Sequence, residues 1–357
     1  MKTRKRMDGY RIMLNNVSHP HHPLRIFWFS TLLTIALAGI VGYCDGIAGL
    51  WLFLILVVLE VTFSFDNAVV NSKVLADMSS LWQTIFLTVG IFIAVFVVRF
   101  ILPVLIVMLA AEIGFAEVIQ LALNEPEKYG EVLHRAAPMI DAFGGAFLVM
   151  IGMSYFMDRE KDTHWISGLE KSMSMAGRFE HLKVFIMMLT AILLYFTVDR
   201  TYRSTVLIAS VVGVALHVGL ELFGSMFEKD RHAITQKTGL AAFSSFMYLE
   251  VLDASFSFDG VIGAFAVTSS VLLIIAGLGA GAVWVRSLTV YLLRTGTLAK
   301  YRYLEHGAHW AIMALGIMMM VKLYHVELPE WMTGSLGLAF IGTAIYSSIL
   351  EKPGEDD

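Results

Sequence analysis

Long apolar runs recur along the whole chain, separated by short stretches where Lys, Arg, Asp, Glu, Gly and Pro collect. A helix needs roughly 20 apolar residues to cross about 30 Å of hydrocarbon. On that rule the pattern predicts ten spans, with approximate limits 26–45, 49–72, 82–110, 138–157, 183–200, 203–227, 239–265, 269–293, 308–326 and 332–350. The run 82–110 is long and carries Pro103, and the runs 183–200 and 203–227 are separated only by Arg200-Thr201-Tyr202, so the expected count is 8–10. The fold class predicted is an all-α polytopic membrane protein. A basic arm (1–25) precedes a single transmembrane domain (26–350), and a short tail (351–357) follows it.

Composition agrees. Of 357 residues 57% are hydrophobic and 16% charged, against about 45–50% and about 25% in soluble domains, which excludes a soluble enzyme. The single cysteine, Cys44, excludes a disulfide framework and a thiolate metal site. A net charge of -4 argues against nucleic acid as a partner. The expected partner is the lipid bilayer; protein partners are left open.

Charge placement suggests an orientation. Lys2, Arg4, Lys5, Arg6 and Arg11 precede a first run with no cleavage signal at Val41-Gly42-Tyr43-Cys44, which reads as an uncleaved helix with a cytoplasmic N-terminus. Alternation then puts the clusters Arg159/Lys161/Lys171/Arg178/Lys183, Lys229/Arg231/Lys237 and Arg294/Lys300/Arg302 inside, leaving outside only Lys128 and Arg135 in an acidic segment, Arg200 and Arg203 in a tight turn, and Lys322 near a helix end. The acidic stretch 111–137 is expected outside as an amphipathic or loop segment. His19, His21 and His22 resemble a metal-binding tract only weakly.

The chain repeats itself. Glu60-Val61-Thr62-Phe63-Ser64-Phe65-Asp66-Asn67 in the second span is echoed by Asp253-Ala254-Ser255-Phe256-Ser257-Phe258-Asp259-Gly260 in the seventh. Each motif helix is followed by one with a single Arg late in an apolar run, Arg99 and Arg286. A third helix in each copy then carries a matching glycine, Gly152 and Gly316. The repeats cover roughly 49–157 and 239–326, and an odd separation between the motif helices makes the repeat inverted. In that construction substrate sites lie near the midplane, between the repeats.

At 100° per residue Glu60, Ser64, Asn67 and Asn71 share a face, as do Asp253, Ser257 and Gly260 with Glu250 one turn earlier; Asp66 and Asp259 are displaced. For both carboxylates of a motif to reach one ion, each motif helix is expected to unwind near Phe-Ser-Phe-Asp. Asp66 or Asp259 would cap the second half, and Gly260 and Gly263 would ease the second break. A charge at the bilayer centre costs at least about 2.5–3.5 kcal/mol. Glu60, Asp66, Glu250, Asp253 and Asp259 outnumber Arg99 and Arg286, so protons or a divalent cation must complete the balance. An all-oxygen ligand set, without Cys or His in either motif, suits Mn²⁺, Mg²⁺ or Ca²⁺ better than Zn²⁺ or Cu⁺. The candidate metal ligands are Glu60, Asp66, Asn67, Glu250, Asp253 and Asp259, supported by Ser64, Ser257, Arg99 and Arg286. No catalytic or cofactor-binding residue stands out; the cation is cargo.

At these residues the sequence resembles the TerC-type integral membrane family, named for tellurium resistance, within the LysE-like transporter superfamily. The shared features are Glu60 with Ser64-Phe65-Asp66-Asn67; Glu250-Val251-Leu252-Asp253 ahead of Phe256-Ser257-Phe258-Asp259; Phe265-Ala266-Val267-Thr268; Val285-Arg286-Ser287-Leu288; and Tyr303-Leu304-Glu305-His306-Gly307. The family's Asp-Ser-Ile-Pro core is replaced by Asp259-Gly260-Val261-Ile262, and extra helices are present, which makes this a divergent branch of unknown function. The resemblance implies manganese export across the bacterial cytoplasmic membrane, with Asp66 and Asp259 at the centre. The departure at Gly260 puts the metal preference in question.

Other readings remain open at this level. The buried acids could be structural partners of Arg99 and Arg286. Two membrane aspartates could serve an intramembrane aspartyl hydrolase, although Gly-x-Gly-Asp and Pro-Ala-Leu segments are lacking. The chain could also be a non-transporting scaffold of a stress-resistance complex. His217 and Glu221, four residues apart, could form a proton path or a satisfied pair. The 20 methionines are scattered and read as core packing.

Overall fold

The computed structural model describes residues 22–179, 181–227, 236–326 and 330–351, the side chains at 330, 331 and 333 excepted. The first 21 residues, with most of the basic arm and both His19 and His21, and the tail beyond 351 lie outside the described residues. His22 caps the first helix, its Nδ1 accepting from the Leu24 backbone N–H at 3.2 Å.

The chain is a helical bundle. In order come α1 (Pro23–Cys44), α2 (Gly46–Phe63), α3 (Phe65–Ala76), α4 (Ser80–Ala111), α5 (Phe115–Asn124), α6 (Pro126–Phe156) and α7 (Ser167–Ala176). They are followed by α8 (Leu182–Thr197), α9 (Arg203–Phe227), α10 (Gly239–Ala264), α11 (Val271–Thr295), α12 (Leu304–Lys322) and α13 (Glu330–Leu350). Among the described residues seven helices, α1, α2, α4, α6, α9, α11 and α12, are long and apolar enough to cross a membrane. The motif helix α10 spans 26 residues but carries Glu250, Asp253 and Asp259. The apolar α8 has only 16 residues.

Each apolar run of the sequence is a helix, with three departures. The stretch 111–137, expected as an amphipathic or loop segment, is mostly helix rather than loop: it holds α5 and the first turns of α6, and Pro126 sits at a helix start where its missing N–H costs nothing. The run 82–110 absorbs Pro103 by widening into π-helical turns over Phe86–Gly90 and Ile93–Ile101, with Pro103 in the first turn of the α-helical segment that follows. The third departure concerns the motif helices: α2 breaks at Ser64 (φ -103°, ψ 15°), whereas α10 runs unbroken to Ala264, so Gly260 and Gly263 do not interrupt it.

The inverted repeat is visible in the order of contacts. A Cβ at Gly277 would meet Leu56, and one at Gly281 would meet Glu60, so α11 and α2 run parallel. Trp82 lies against Phe246, Gly90 against Glu250 and Arg99 beside Asp253, so α4 and α10 also run parallel. By contrast, Gly144 faces Met319 and Gly152 faces Met313, which makes the third helices, α6 and α12, antiparallel. The motif helices are antiparallel too, with Glu60 opposite Gly260 and Asn67 opposite Asp253. Parallel packing of each motif helix on the other copy's Arg helix, with like helices antiparallel, is the relation that inversion requires.

Close approach depends on small residues, as between helices in a bilayer. A Cβ at Gly281 would lie 2.5 Å from Glu60 Cβ, and one at Gly145 2.9 Å from the Gly316 carbonyl oxygen.

Candidate functional site

The motif acids separate into two groups. The first is an ion-pair network between α2, α4, α10 and α11. Glu60 accepts from Ser64 Oγ at 3.0 Å and from the Arg99 guanidinium. Arg99 Nη1 also donates to the Ala94 carbonyl at 2.6 Å, five residues back in the π-helical stretch, and lies 3.8 Å from Asp253 Oδ2. Asp253 accepts from Asn67 Nδ2 at 2.9 Å and from Arg286 Nη2 at 3.4 Å. Arg286 grips Glu250 with both terminal nitrogens, at 3.2 and 3.3 Å, and its guanidinium lies 3.9 Å over the Phe86 ring. All five charged groups are at most 5% exposed. Gly90 makes room, since a Cβ there would lie 2.7 Å from Glu250 Oε1.

The network links the copies. Arg99 and Arg286 both approach Oδ2 of Asp253, and Asn67 of the first motif donates to its other oxygen, Oδ1. Glu250 has no acidic counterpart in the first copy, where Val57 stands, which is why the second copy's arginine makes the bidentate contact.

The second group is Asp66 and Asp259. Displaced from the shared face as the helical geometry predicts, they line one cavity of about 20 Å³ with Phe63, Phe256 and Gly337. The two phenylalanines hold equivalent positions in the two motifs, while α12 and α13 supply Ala311, Leu315 and Gly334 to the rest of the lining. Asp66 is in the first turn of α3, where the helix dipole favours an anion. It does not cap α3: its Oδ1 accepts the Asn67 N–H at 2.9 Å, and Ser64 holds the cap position. Asp259 pairs with Lys322 at the end of α12, Nζ to Oδ1 2.6 Å.

Thus all six candidate ligands are buried between the repeats, but not around one point. Among the described residues no group of three or more His, Cys, Asp or Glu side chains is placed to hold a metal ion. Two carboxylates in one cavity leave the other positions of a six-coordinate cation to water and backbone oxygens. Several buried polar atoms near the motifs have no hydrogen-bond partner: Asn67 Oδ1, both amide atoms of Asn71 and Ser257 Oγ. Such orphans in a buried site ask for a water or an ion.

Lys322 is the site residue that sequence reasoning missed. The sequence places it near a helix end, and its long stem lets the ammonium reach inward from there. The available signal was its isolation, a lone cation closing an otherwise uncharged stretch of helix.

His217 and Glu221 are paired, Nε2 to Oε1 3.6 Å, but within a larger group than the sequence suggests. Lys183 Nζ donates to Glu221 at 2.7 and 2.8 Å and to Ser154 Oγ at 2.8 Å, while Ser154 Oγ and His217 Nε2 are 2.8 Å apart. Here α8 supplies the counter-charge, and the group ties it to α6 and α9.

Fold and site together define a polytopic helical membrane protein, an inverted repeat with ionisable side chains buried where its halves meet. The chain belongs to the family described as "Protein of unknown function (DUF475)", whose model matches residues 65–354, from the second half of the first motif through α13. No curated protein and no solved structure matches it.

Proposed function

We propose that this protein is a secondary transporter exporting a divalent cation, with Mn²⁺ the first candidate, by exposing the Asp66/Asp259 cavity alternately to the two sides of a bacterial cytoplasmic membrane. The observation that carries the reading is that equivalent aspartates from the two inverted repeats line the same small cavity. Alternating access arises when the halves of such a repeat rock about a central site. Two buried carboxylates in a cavity otherwise lined by phenylalanine, glycine, alanine and leucine suit a hard cation that keeps part of its hydration. The resemblance to TerC-type proteins points the same way, and the Lys and Arg loading of alternate loops supports a cytoplasmic N-terminus.

In this mechanism the arginine network is a fixed support: guanidinium groups cannot ligate a cation, and Arg99 and Arg286 hold Glu60, Glu250 and Asp253 in register across the interface. An aspartyl hydrolase is disfavoured because neither aspartate sits in a Gly-x-Gly-Asp context and no Pro-Ala-Leu segment follows.

The test is manganese content and metal tolerance in a bacterial strain lacking its own exporters. The wild-type chain lowers cell manganese, whereas Asp66→Asn and Asp259→Asn do not. Equal rescue by the variants overturns the assignment of the site.

A further inference from the structure

Asp66 and Asp259 are equivalent in sequence but not in surroundings. Asp66 is 4% exposed, and its carboxylate accepts the backbone N–H of Asn67. Asp259 receives the ammonium of Lys322 at 2.6 Å, with the two side chains 6% and 17% exposed. The lysine belongs to one repeat only: counted from the matching glycines Gly152 and Gly316, the first copy has Asp158 at that position. The ammonium is carried on the last residue of α12, the helix whose Ala311 and Leu315 also line the cavity.

A carboxylate that serves as a cation ligand is costly to leave alone in a low-dielectric setting. Arg99 and Arg286 are committed to Glu60, Glu250 and Asp253. Lys322 therefore supplies the charge that Asp259 lacks when no cargo is present. A lysine ammonium suits this role better than a guanidinium: it is a compact point charge on a flexible stem, and it can withdraw toward water.

We propose that Lys322 is a tethered competitor for the transported cation, occupying Asp259 in the unloaded state and yielding it when a divalent cation enters the cavity. This inference rests on the transport reading above. Cargo binding then breaks the contact between the end of α12 and α10, and cargo release restores it, so the lysine both sets the affinity and speeds release. A tethered group acts at high effective concentration, and the apparent affinity for cargo is reduced by the fraction of protein in which the lysine is seated.

The experiment titrates Mn²⁺ into purified full-length protein in detergent, read by thermal stabilisation, for wild type, Lys322→Met, Lys322→Arg and Asp259→Asn. Lys322→Met binds Mn²⁺ more tightly by about tenfold or more, Lys322→Arg stays near or below wild-type affinity, and Asp259→Asn loses binding. In parallel, acylation of Lys322 by an amine-reactive reagent, followed by mass spectrometry of the wild-type protein, rises when Mn²⁺ is added and not when Na⁺ is added at equal ionic strength. Unchanged affinity in Lys322→Met overturns the competitor role while leaving the transport reading intact. Should that variant not fold, the acylation decides: a rate indifferent to Mn²⁺ overturns the role. A wild-type protein that binds no Mn²⁺ and moves none in cells overturns the transport reading and this inference together.

Discussion

Asn67 on α3 donates to Asp253 on α10, Nδ2 to Oδ1 2.9 Å, joining the two copies of the motif across 186 residues of sequence. The contact spares Asp253 from relying on arginines alone. Losing a hydrogen bond to a buried charged group costs about 1–3 kcal/mol. Asn67→Ala is therefore expected to lower the unfolding temperature of detergent-solubilised protein, and Asn67→Asp, which places a further carboxylate against Asp253, to lower it more. Similar melting of both variants would contradict the contact.

The bidentate grip of Arg286 on Glu250 makes a second prediction. Removing one partner of a buried pair leaves an uncompensated charge and costs about 3–5 kcal/mol, whereas replacing both by apolar groups is often close to neutral. Arg286→Met is expected to be strongly destabilising, and adding Glu250→Leu to recover much of the loss. A double variant no better than the single one would assign Glu250 a role beyond pairing.

Packing of α11 on α2 depends on Gly281, whose added Cβ would stand 2.5 Å from Glu60 Cβ. Overpacking of this kind costs about 1–3 kcal/mol, so Gly281→Ala is expected to reduce stability and to disturb the Glu60–Arg99 pair. Gly219→Ala on α9 is the comparison: nothing lies within 4 Å of its added Cβ, and its melting temperature should match the wild type or exceed it.

A separate clasp fastens α7 to α12. The Glu170 carboxylate, 0% exposed, receives the Trp165 N–H at 2.9 Å and Trp310 Nε1 at 2.9 Å, with His306 Nδ1 at 2.8 Å. Burial pushes the Glu170 pKa up, but the hydrogen bonds and the His306 charge outweigh it and hold the carboxyl at about 2, against an ordinary 4.5. A depressed carboxylate pKa contributes stability above the unfolded value that is lost as pH falls toward the folded one. The clasp's contribution to stability is thus full above about pH 4.5 and declines between there and about pH 2, and the carboxylate itself is protonated in the folded protein only near the lower value. The wild type should lose stability relative to Glu170→Gln as pH falls across that window, with a tryptophan fluorescence change near its lower end that the variant lacks, and the variant should be about 1–3 kcal/mol less stable at neutral pH.

Much of the fold was legible because a bilayer imposes a simple rule on sequence: backbone groups must be satisfied internally, so each apolar run becomes a helix. The inverted repeat was legible from the doubled acid-x-[Ser/Thr]-Phe-Ser-Phe-Asp pattern and the parity of spans, and the contact order along α2/α11, α4/α10 and α6/α12 bears it out. The helix breaks were less so. Ser64 interrupts the first motif although two glycines favour the second, because helix propensity is small beside the contacts each helix makes.

The sequence alone determined which charges would be buried, since Glu60, Asp66, Glu250, Asp253 and Asp259 interrupt runs that must lie among helices. It also placed Asp66 and Asp259 off the shared face, because helical phase is a local property. Only the tertiary structure decided how those charges are matched. Arg99 meets both Glu60 and Asp253, Arg286 grips Glu250, and Lys322 turns inward to Asp259. The physical reason is that pairing depends on distances between helices remote in the chain and on the reach of long flexible side chains, and neither leaves a mark on the local pattern of apolar and polar residues.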